Sequence, residues 1–210
     1  MNISSNMVGS TATGSLAIQY AKLSGYCVIT TCSPRGFDFV RSLGADHVFD
    51  YSSPSFGTDI NKLTKNALKY CWDTISISFS ATVCAEAFST HSPEHDRCRY
   101  GAILDVKPAR NDLHVVSTVI YTFFNESFIM GSLRFPAMPK DLDFARDFFA
   151  LSEKLIADRK LRPQPETVGQ EGLRGALQSL KELRKGNISA TKLVYRVEDT
   201  PDGEASINLG

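Results

Sequence analysis

The sequence predicts an α/β fold built on a doubly wound parallel sheet, and two features of the chain lead to this expectation. Short apolar runs alternate with helical patterns of about ten to fifteen residues, which is typical of repeated β-α-β units. A loop of small residues, Val8 to Ser15 (VGSTATGS), stands before the first helix, where such folds bind phosphate groups. With 210 residues and 42% hydrophobic content, the chain is long enough for one domain with a sizeable core.

The elements follow in order from the spacing of apolar residues. The predicted strands are NISSNM, YCVITTC, HVFDY, YCWDTIS, YGAILDV, all or part of VVSTVIYTFF, and KLVYRV. The predicted helices are SLAIQYAKLSG, a short one within SPRGFDFVRSLGAD, TDINKLTKNAL, SATVCAEAFS, DLDFARDFFALSEKLIADRKL and GLRGALQSLKELRKG. We expect the following residues to share a face within their own helices: Ile60, Leu63 and Ala67; Ala145, Phe148, Phe149, Ser152, Leu155 and Ile156; Leu173, Leu177 and Leu180.

The composition argues against several classes of function. Basic and acidic residues balance at 23 each, so there is no basic excess for nucleic acid or for a membrane surface. No apolar run approaches the roughly 20 residues that span a bilayer, and the N-terminus lacks the features of a signal peptide. Five cysteines without a CxxC pair favour a reducing compartment. We therefore expect a cytoplasmic monomer that binds neither nucleic acid nor membranes.

The loop has the chemistry of a phosphate site. A helix N-terminus exposes unpaired backbone N–H groups and a partial positive charge, and a diphosphate needs close approach to them. Ser10, Thr11, Ala12 and Thr13 are all small, and three of them carry hydroxyls. Gly14 would let the helix pack close to the sheet. The dinucleotide fingerprint GxGxxG is not met, so an ordinary helix N-cap is the alternative.

The end of the next strand indicates which cofactor would bind. An acidic residue at this place bonds the ribose of NAD, whereas basic and hydroxyl groups accept the 2′-phosphate of NADP. The sequence here is TCSPRG, and it offers a hydroxyl and a guanidinium but no carboxylate. The turn Ser33, Pro34, Arg35 and Gly36 therefore favours NADPH. The alternative is a solvent-exposed arginine in a surface turn.

Two consecutive segments, VGSTATGSLAIQYAKLSGY and VITTCSPRGFDFVRSLGADHVFDY, resemble the cofactor domain of the medium-chain dehydrogenase/reductase superfamily. They look most like the fungal trans-acting enoyl reductases that work beside polyketide synthases. LKYCWDTIS, RYGAILDV, LRPQPETV and GLRGALQSLKELRKGNISATKLVYRV fit as well, up to about Val197. The resemblance implies a Rossmann-like, NADP-binding domain over residues 1–197, with C-terminal elements of a catalytic domain. The acidic residues 198–210 are expected to form a disordered tail.

The resemblance also implies site residues. Ser10, Thr11, Ala12 and Thr13 would contact the diphosphate, and Ser33 and Arg35 the 2′-phosphate. Tyr51 would flank the adenine, and Ile103 and Leu104 would lie near the nicotinamide side. Ser189 and Ala190 would belong to a segment that closes over the cofactor. The alternative for Tyr51 is a half-buried aromatic side chain at a strand end. The alternative for Ile103 and Leu104 is that they are core residues.

The resemblance implies NADPH-dependent reduction of an α,β-unsaturated thioester held on a polyketide synthase or an acyl carrier.

The chain departs from the family in three respects. Val8 replaces a glycine where positive φ would strain a β-branched residue. The first strand is polar, although a central strand is normally apolar on both faces. The family's N-terminal GroES-like domain is absent, so no catalytic residue is assigned and we expect little or no activity from this chain alone.

Two other functions are alternatives to the reductase. One is a non-catalytic remnant that binds NADPH or docks onto a synthase, and the other is a quinone oxidoreductase-like domain. A metal site formed by His91, His95 and Cys98 is not favoured, because Pro93 interrupts the segment and no fourth ligand is evident.

Overall fold

A computed structural model of the protein describes residues 3–91, 93–117 and 119–201, and its centre is a six-stranded sheet. Every neighbouring pair of strands in this sheet is parallel, and their spatial order is β3-β2-β1-β4-β5-β6. The strands are β1 (Ile3–Met7), β2 (Cys27–Cys32), β3 (His47–Asp50), β4 (Tyr70–Asp73), β5 (Arg99–Ala102) and β6 (His114–Ser117). The predicted doubly wound parallel sheet is confirmed.

Helices cover both faces of the sheet. They are α1 (Ala12–Leu23), α2 (Phe37–Ser42), α3 (Phe56–Leu63), α4 (Ser78–Ala87), α5 (Pro139–Ala157) and α6 (Gly172–Arg184). The core has two parts. The larger includes residues of α3, α4, β4 and β5, such as Phe56, Ile60, Cys71 and Tyr100. The smaller includes residues of α1, β2 and α2, such as Ile18, Val28 and Val40.

The polar first strand does lie at the centre, between β2 and β4. Its Ser5 is buried opposite Ile29 and Cys71. A cavity of about 220 Å³ lies beside this strand, lined by residues that include Ser4, Ser5, Ala17, Tyr70, Trp72 and Val116. Small polar side chains are thus tolerated at the centre of the sheet, but they leave space that larger apolar ones would fill.

Several predicted boundaries are wrong. Strand β5 ends at Ala102, so Ile103 and Leu104 follow it rather than belong to it. VVSTVIYTFF divides into β6 and a 3-10 turn at Ile120–Phe124. Helix α3 ends at Leu63, because Lys65 and Asn66 adopt positive φ and turn the chain before Ala67 can join the helical face.

The C-terminal part contains three strands that the periodicity did not reveal, and a fourth, β10 (Lys192–Tyr195), that confirms the predicted strand KLVYRV. An antiparallel pair joins β7 (Phe128–Met130) to β8 (Leu133–Phe135). A parallel pair joins β9 (Glu166–Gly169) to β10 (Lys192–Tyr195), with α6 between them in the chain. The three missed strands have three or four residues each, most of them exposed, and so show no clear alternation of apolar and polar positions.

The two long C-terminal helices are less buried than their patterns indicate. On α5, Ala145 is buried and Phe148 packs on Tyr20, but Phe149 is 57% exposed and Ile156 is 50% exposed. The predicted face therefore packs only in part. The aligned leucines of α6 are exposed along the whole helix, and they are Leu173, Leu177, Leu180 and Leu183.

The predicted tail begins with a defined structure. Val197–Asp199 forms a 3-10 turn, and the Thr200 hydroxyl accepts a hydrogen bond from the backbone N–H of Leu173 at 3.0 Å. Residues 202–210, the rest of the predicted tail, lie outside the described residues. Within the described ranges, none of the helices has the length and apolar character that crossing a membrane requires.

Candidate functional site

The loop between β1 and α1 is closely packed against the sheet. The backbone N–H of Gly9 donates to the carbonyl of Thr31 at 2.8 Å. A Cβ at Gly9 would lie 2.3 Å from Thr30 Oγ1, and one at Gly14 would lie 2.2 Å from the carbonyl oxygen of Val8. Both glycines are therefore required by contact distance. This close approach of backbone to backbone is the geometry that a phosphate cradle needs.

Val8 is strained, as the sequence predicted. Its φ is 58°, in the left-handed region that disfavours β-branched side chains. The conformation is held from the neighbouring strand, because the backbone N–H of Val8 donates to Thr31 Oγ1 at 3.0 Å. The strain therefore lies directly before the first turn of the helix.

The hydroxyls of the loop have different roles. Thr11 is the N-cap of α1, since its Oγ1 accepts from the N–H of Gly14 at 3.0 Å and donates to the carbonyl of Val8 at 3.1 Å. Its hydroxyl proton is therefore used within the loop, and the contact of Thr11 with a diphosphate stays a prediction. Ser10 and Thr13 are the residues whose hydroxyls could donate to a ligand. Ala12 and Thr13 lie exposed in the first helical turn, where backbone N–H groups have no intrahelical acceptor.

The Ser33–Gly36 turn lies beside this loop. A Cβ at Gly36 would come within 3.4 Å of the Cβ of Ser10. Pro34 and Arg35 are exposed, and Arg35 Nη2 donates to the carbonyl of Gly186 at 2.7 Å. Burial, with a further contribution from Asp50, raises the pKa of the Cys32 thiol to about 11. This thiol is therefore uncharged near neutral pH and adds no negative charge where a phosphate would bind.

The segment that leads to Ser189 and Ala190 contacts the turn at Gly186. Both residues are half-buried, and Ala190 has a φ of 56°. Arg35 connects the turn to the start of this segment through Gly186. The structure thus brings together the phosphate loop, the Ser33–Gly36 turn and the segment before β10, three of the five predicted parts of the site.

Gln164 was missed by the sequence reasoning. Its Nε2 donates to the carbonyl of Ser10 at 3.2 Å, across 154 positions of sequence. The same stretch is fixed by Gln19, whose side chain donates to the carbonyl of Arg162 at 3.0 Å and accepts from its N–H at 2.8 Å. LRPQPETV had been noted only as a segment, and nothing in its local pattern singles out one glutamine.

Tyr51, Ile103 and Leu104 follow the C-terminal ends of β3 and β5, at the same edge of the sheet as the phosphate loop. Tyr51 is 41% exposed. Leu104 is 52% exposed, so the alternative that made it a core residue is wrong. Ile103 is half-buried, and its N–H donates to Ser76 Oγ at 3.0 Å.

The described residues contain no group of three or more histidine, cysteine or acidic side chains that could hold a metal ion. His91 Nδ1 lies 3.0 Å from the Asn66 amide and 3.1 Å from the Thr90 hydroxyl, and Cys98 is buried. The described residues therefore do not form a site that would hold zinc.

Comparison with known proteins identifies relatives of this chain. The family model described as zinc-binding dehydrogenase matches residues 12–90. The dual trans-enoyl reductase/FAD-dependent monooxygenase tazHJ of Aspergillus terreus is 46% identical over 180 residues, which are 85% of this chain and 25% of that protein. The trans-enoyl reductase ACTTS2 of Alternaria alternata is 38% identical over 190 residues, which are 90% of this chain and 53% of that protein. The chain spans about half the length of ACTTS2, and a smaller share of tazHJ.

Solved structures support the same fold. The JamJ enoyl reductase superposes with a TM-score of 0.70 at 15% identity, covering 93% of this chain and 55% of that one. The quinone oxidoreductase of Pseudomonas syringae superposes with a TM-score of 0.66 at 19% identity, covering 92% of this chain and 56% of that one. At this level of identity the two structures show the fold alone.

Proposed function

We propose that the chain is the NADPH-binding part of a fungal trans-enoyl reductase, because relatives of that description align with 85% and 90% of it. The observation that carries this proposal is the pairing of two features at one edge of the sheet. A tightly packed phosphate loop lies within a side chain's width of a turn that has an exposed arginine and no carboxylate.

The described residues suit a phosphorylated dinucleotide. The first turn of α1 offers backbone N–H groups, and Ser10 and Thr13 add hydroxyls for the diphosphate. Arg35 uses one nitrogen to reach Gly186, which leaves other donors of its guanidinium for a 2′-phosphate beside Ser33. Tyr51 and Leu104, exposed beyond the ends of β3 and β5, and the half-buried Ser189 and Ala190 would contact the rest of the cofactor.

The reaction is proposed for the whole protein of which such a domain is a part. NADPH would supply the hydride, and the residues described here would bind and orient it. The substrate would be an α,β-unsaturated acyl thioester presented by a polyketide synthase, the partner that trans-acting enoyl reductases require. We propose that the protein acts as a cytoplasmic monomer, consistent with its balanced charge and with the absence of a CxxC pair from its sequence.

Substitution of Arg35 tests the choice of cofactor. Arg35→Ala should weaken NADPH binding roughly 10- to 100-fold, because a charge-assisted hydrogen bond contributes about 1.5–3 kcal/mol, and should leave NADH binding unchanged. Fluorescence titration measures both affinities. Arg146→Ala, an exposed arginine on α5, serves as the control and should bind like the wild type. An equal loss for both cofactors in Arg35→Ala would count against a 2′-phosphate site.

A further inference from the structure

A buried polar network lies at the ends of β4 and β5. Asp73, the last residue of β4, has no solvent exposure. Its Oδ1 accepts from the backbone N–H groups of Ile75 and Ser76, both at 2.9 Å. Its Oδ2 accepts from Ser80 Oγ and Tyr100 Oη, both at 2.7 Å. The carboxylate therefore fixes the turn after β4, the start of α4 and the neighbouring strand.

Ser76 links this network to the edge of the sheet where the cofactor is predicted to bind. Its hydroxyl donates to the carbonyl of Asp73 at 3.0 Å and accepts from the N–H of Ile103 at 3.0 Å. Ile103 follows Ala102, which pairs with Asp73 across the two strands. The single hydroxyl thus joins the chain just beyond β4 to the chain just beyond β5.

The backbone of Ser76 is held in an unfavourable conformation. Its φ is 56°, in the left-handed region, and the side chain is 6% exposed. Such strain persists only where surrounding contacts fix it, often at functional sites. A glycine would adopt this φ without strain but would lack the hydroxyl that receives Ile103.

We propose that Ser76, held by Asp73, is a positioning residue for the nicotinamide end of the cofactor. By fixing the N–H of Ile103, it sets the path of the chain that presents the exposed side chain of Leu104. This inference rests on the proposed function. It assigns to the network a role separate from that of Arg35, which lies beyond β2 and serves the phosphate at the other end of the cofactor.

Two substitutions and two ligands separate positioning from general stability. NADPH reaches both ends of the site, whereas adenosine 2′,5′-bisphosphate lacks the nicotinamide. Ser76→Ala and Ser76→Gly should each weaken NADPH about fivefold, as expected for one lost hydrogen bond, and leave the bisphosphate unchanged. Calorimetric titration measures both affinities, and the emission of bound NADPH reports whether the nicotinamide environment has changed. Ser42→Ala, which removes a hydroxyl bond to the carbonyl of Phe39 within α2, should alter neither affinity.

The Ser76→Gly variant separates a loss of NADPH binding from a loss of folding stability. Glycine relieves the strained φ, so Ser76→Gly should be more stable than Ser76→Ala and yet bind NADPH as weakly. Wild-type NADPH affinity in Ser76→Gly, or loss of both ligands in proportion to lost stability, would overturn the positioning role while leaving the cofactor site intact. Failure of the wild type to bind either ligand would overturn the proposed function and this inference with it.

Discussion

At the residue scale, the candidate site contains residues whose backbone conformations are unusual. Val8, Ser76 and Ala190 all have positive φ without being glycine, and each lies in or beside a segment assigned to the cofactor. Backbone strain of this kind tends to collect at binding sites, where neighbouring contacts hold it. A substitution that relieves the backbone strain at one of these positions therefore raises stability while it alters the candidate site.

Val8→Gly should stabilise the protein. Removing the side chain relieves the strain at φ 58°, and after the added chain entropy of glycine the free energy of unfolding should rise by about 1 kcal/mol. Urea denaturation measures this change. Val115→Gly, at an exposed position of β6, is the control and should destabilise. A less stable Val8→Gly would show that the valine side chain contributes more packing than its backbone costs.

Asp46 should make stability depend on acid pH. Burial alone would raise the pKa of this carboxyl, but hydrogen bonds from Lys22 at 2.9 Å and from the N–H of Val28 at 2.7 Å outweigh it and lower the pKa. A depressed folded-state pKa contributes stability that is present above the unfolded value of about 3.9 and is lost as pH falls through the folded value. Both partners are about one-third exposed, so the contribution is about 1 kcal/mol or less.

The measurement is denaturant unfolding of the wild type and Asp46→Asn between neutral and acid pH. The stability difference should be constant near neutral pH and shrink below about pH 4. A difference that persists unchanged into acid would mean that the carboxylate charge is not what Asp46 contributes.

At the element scale, the segments that are apolar and local were predicted well. Strand β2 is buried along its whole length, as YCVITTC indicated, and α1 follows the phosphate loop. The short strands β7, β8 and β9 were missed because three or four partly exposed residues carry no clear period. The hydrogen bonds of Gln164 and Ser76 were missed because they join segments 154 and 27 residues apart, which local patterns do not encode.

The joint between the loop and α1 should not tolerate a side chain. Gly14→Ala places a Cβ 2.2 Å from the carbonyl of Val8, so the loop must move, at a cost of about 1–3 kcal/mol. Thermal unfolding and NADPH titration should both register the change. Gly36→Ala is the matched control, because its Cβ would meet side-chain atoms no closer than 3.3 Å, and it should cost less than about 1 kcal/mol. Equal stability of the two variants would contradict the packing described for the loop.

At the scale of the whole molecule, the parts of the site come from distant regions of the sequence. The loop between β1 and α1 lies near residue 10, the Ser33–Gly36 turn near residue 35 and the segment before β10 near residue 189. Arg35 donates a hydrogen bond to Gly186, and Gln164 donates one to Ser10. The leucine face of α6 and half of the apolar face of α5 are exposed. Which segments form the site stays a prediction from the sequence, and the hydrogen bonds that join those segments were not predicted.

The central claim is that this assembly is an NADPH site, and calorimetric titration of the wild-type chain with NADPH and with NADH tests it most directly. The arginine turn without a carboxylate should give saturable NADPH binding at one site, at least roughly tenfold tighter than NADH, as one charge-assisted hydrogen bond implies. Equal affinity for the two cofactors, or no saturable binding of NADPH, would contradict the account.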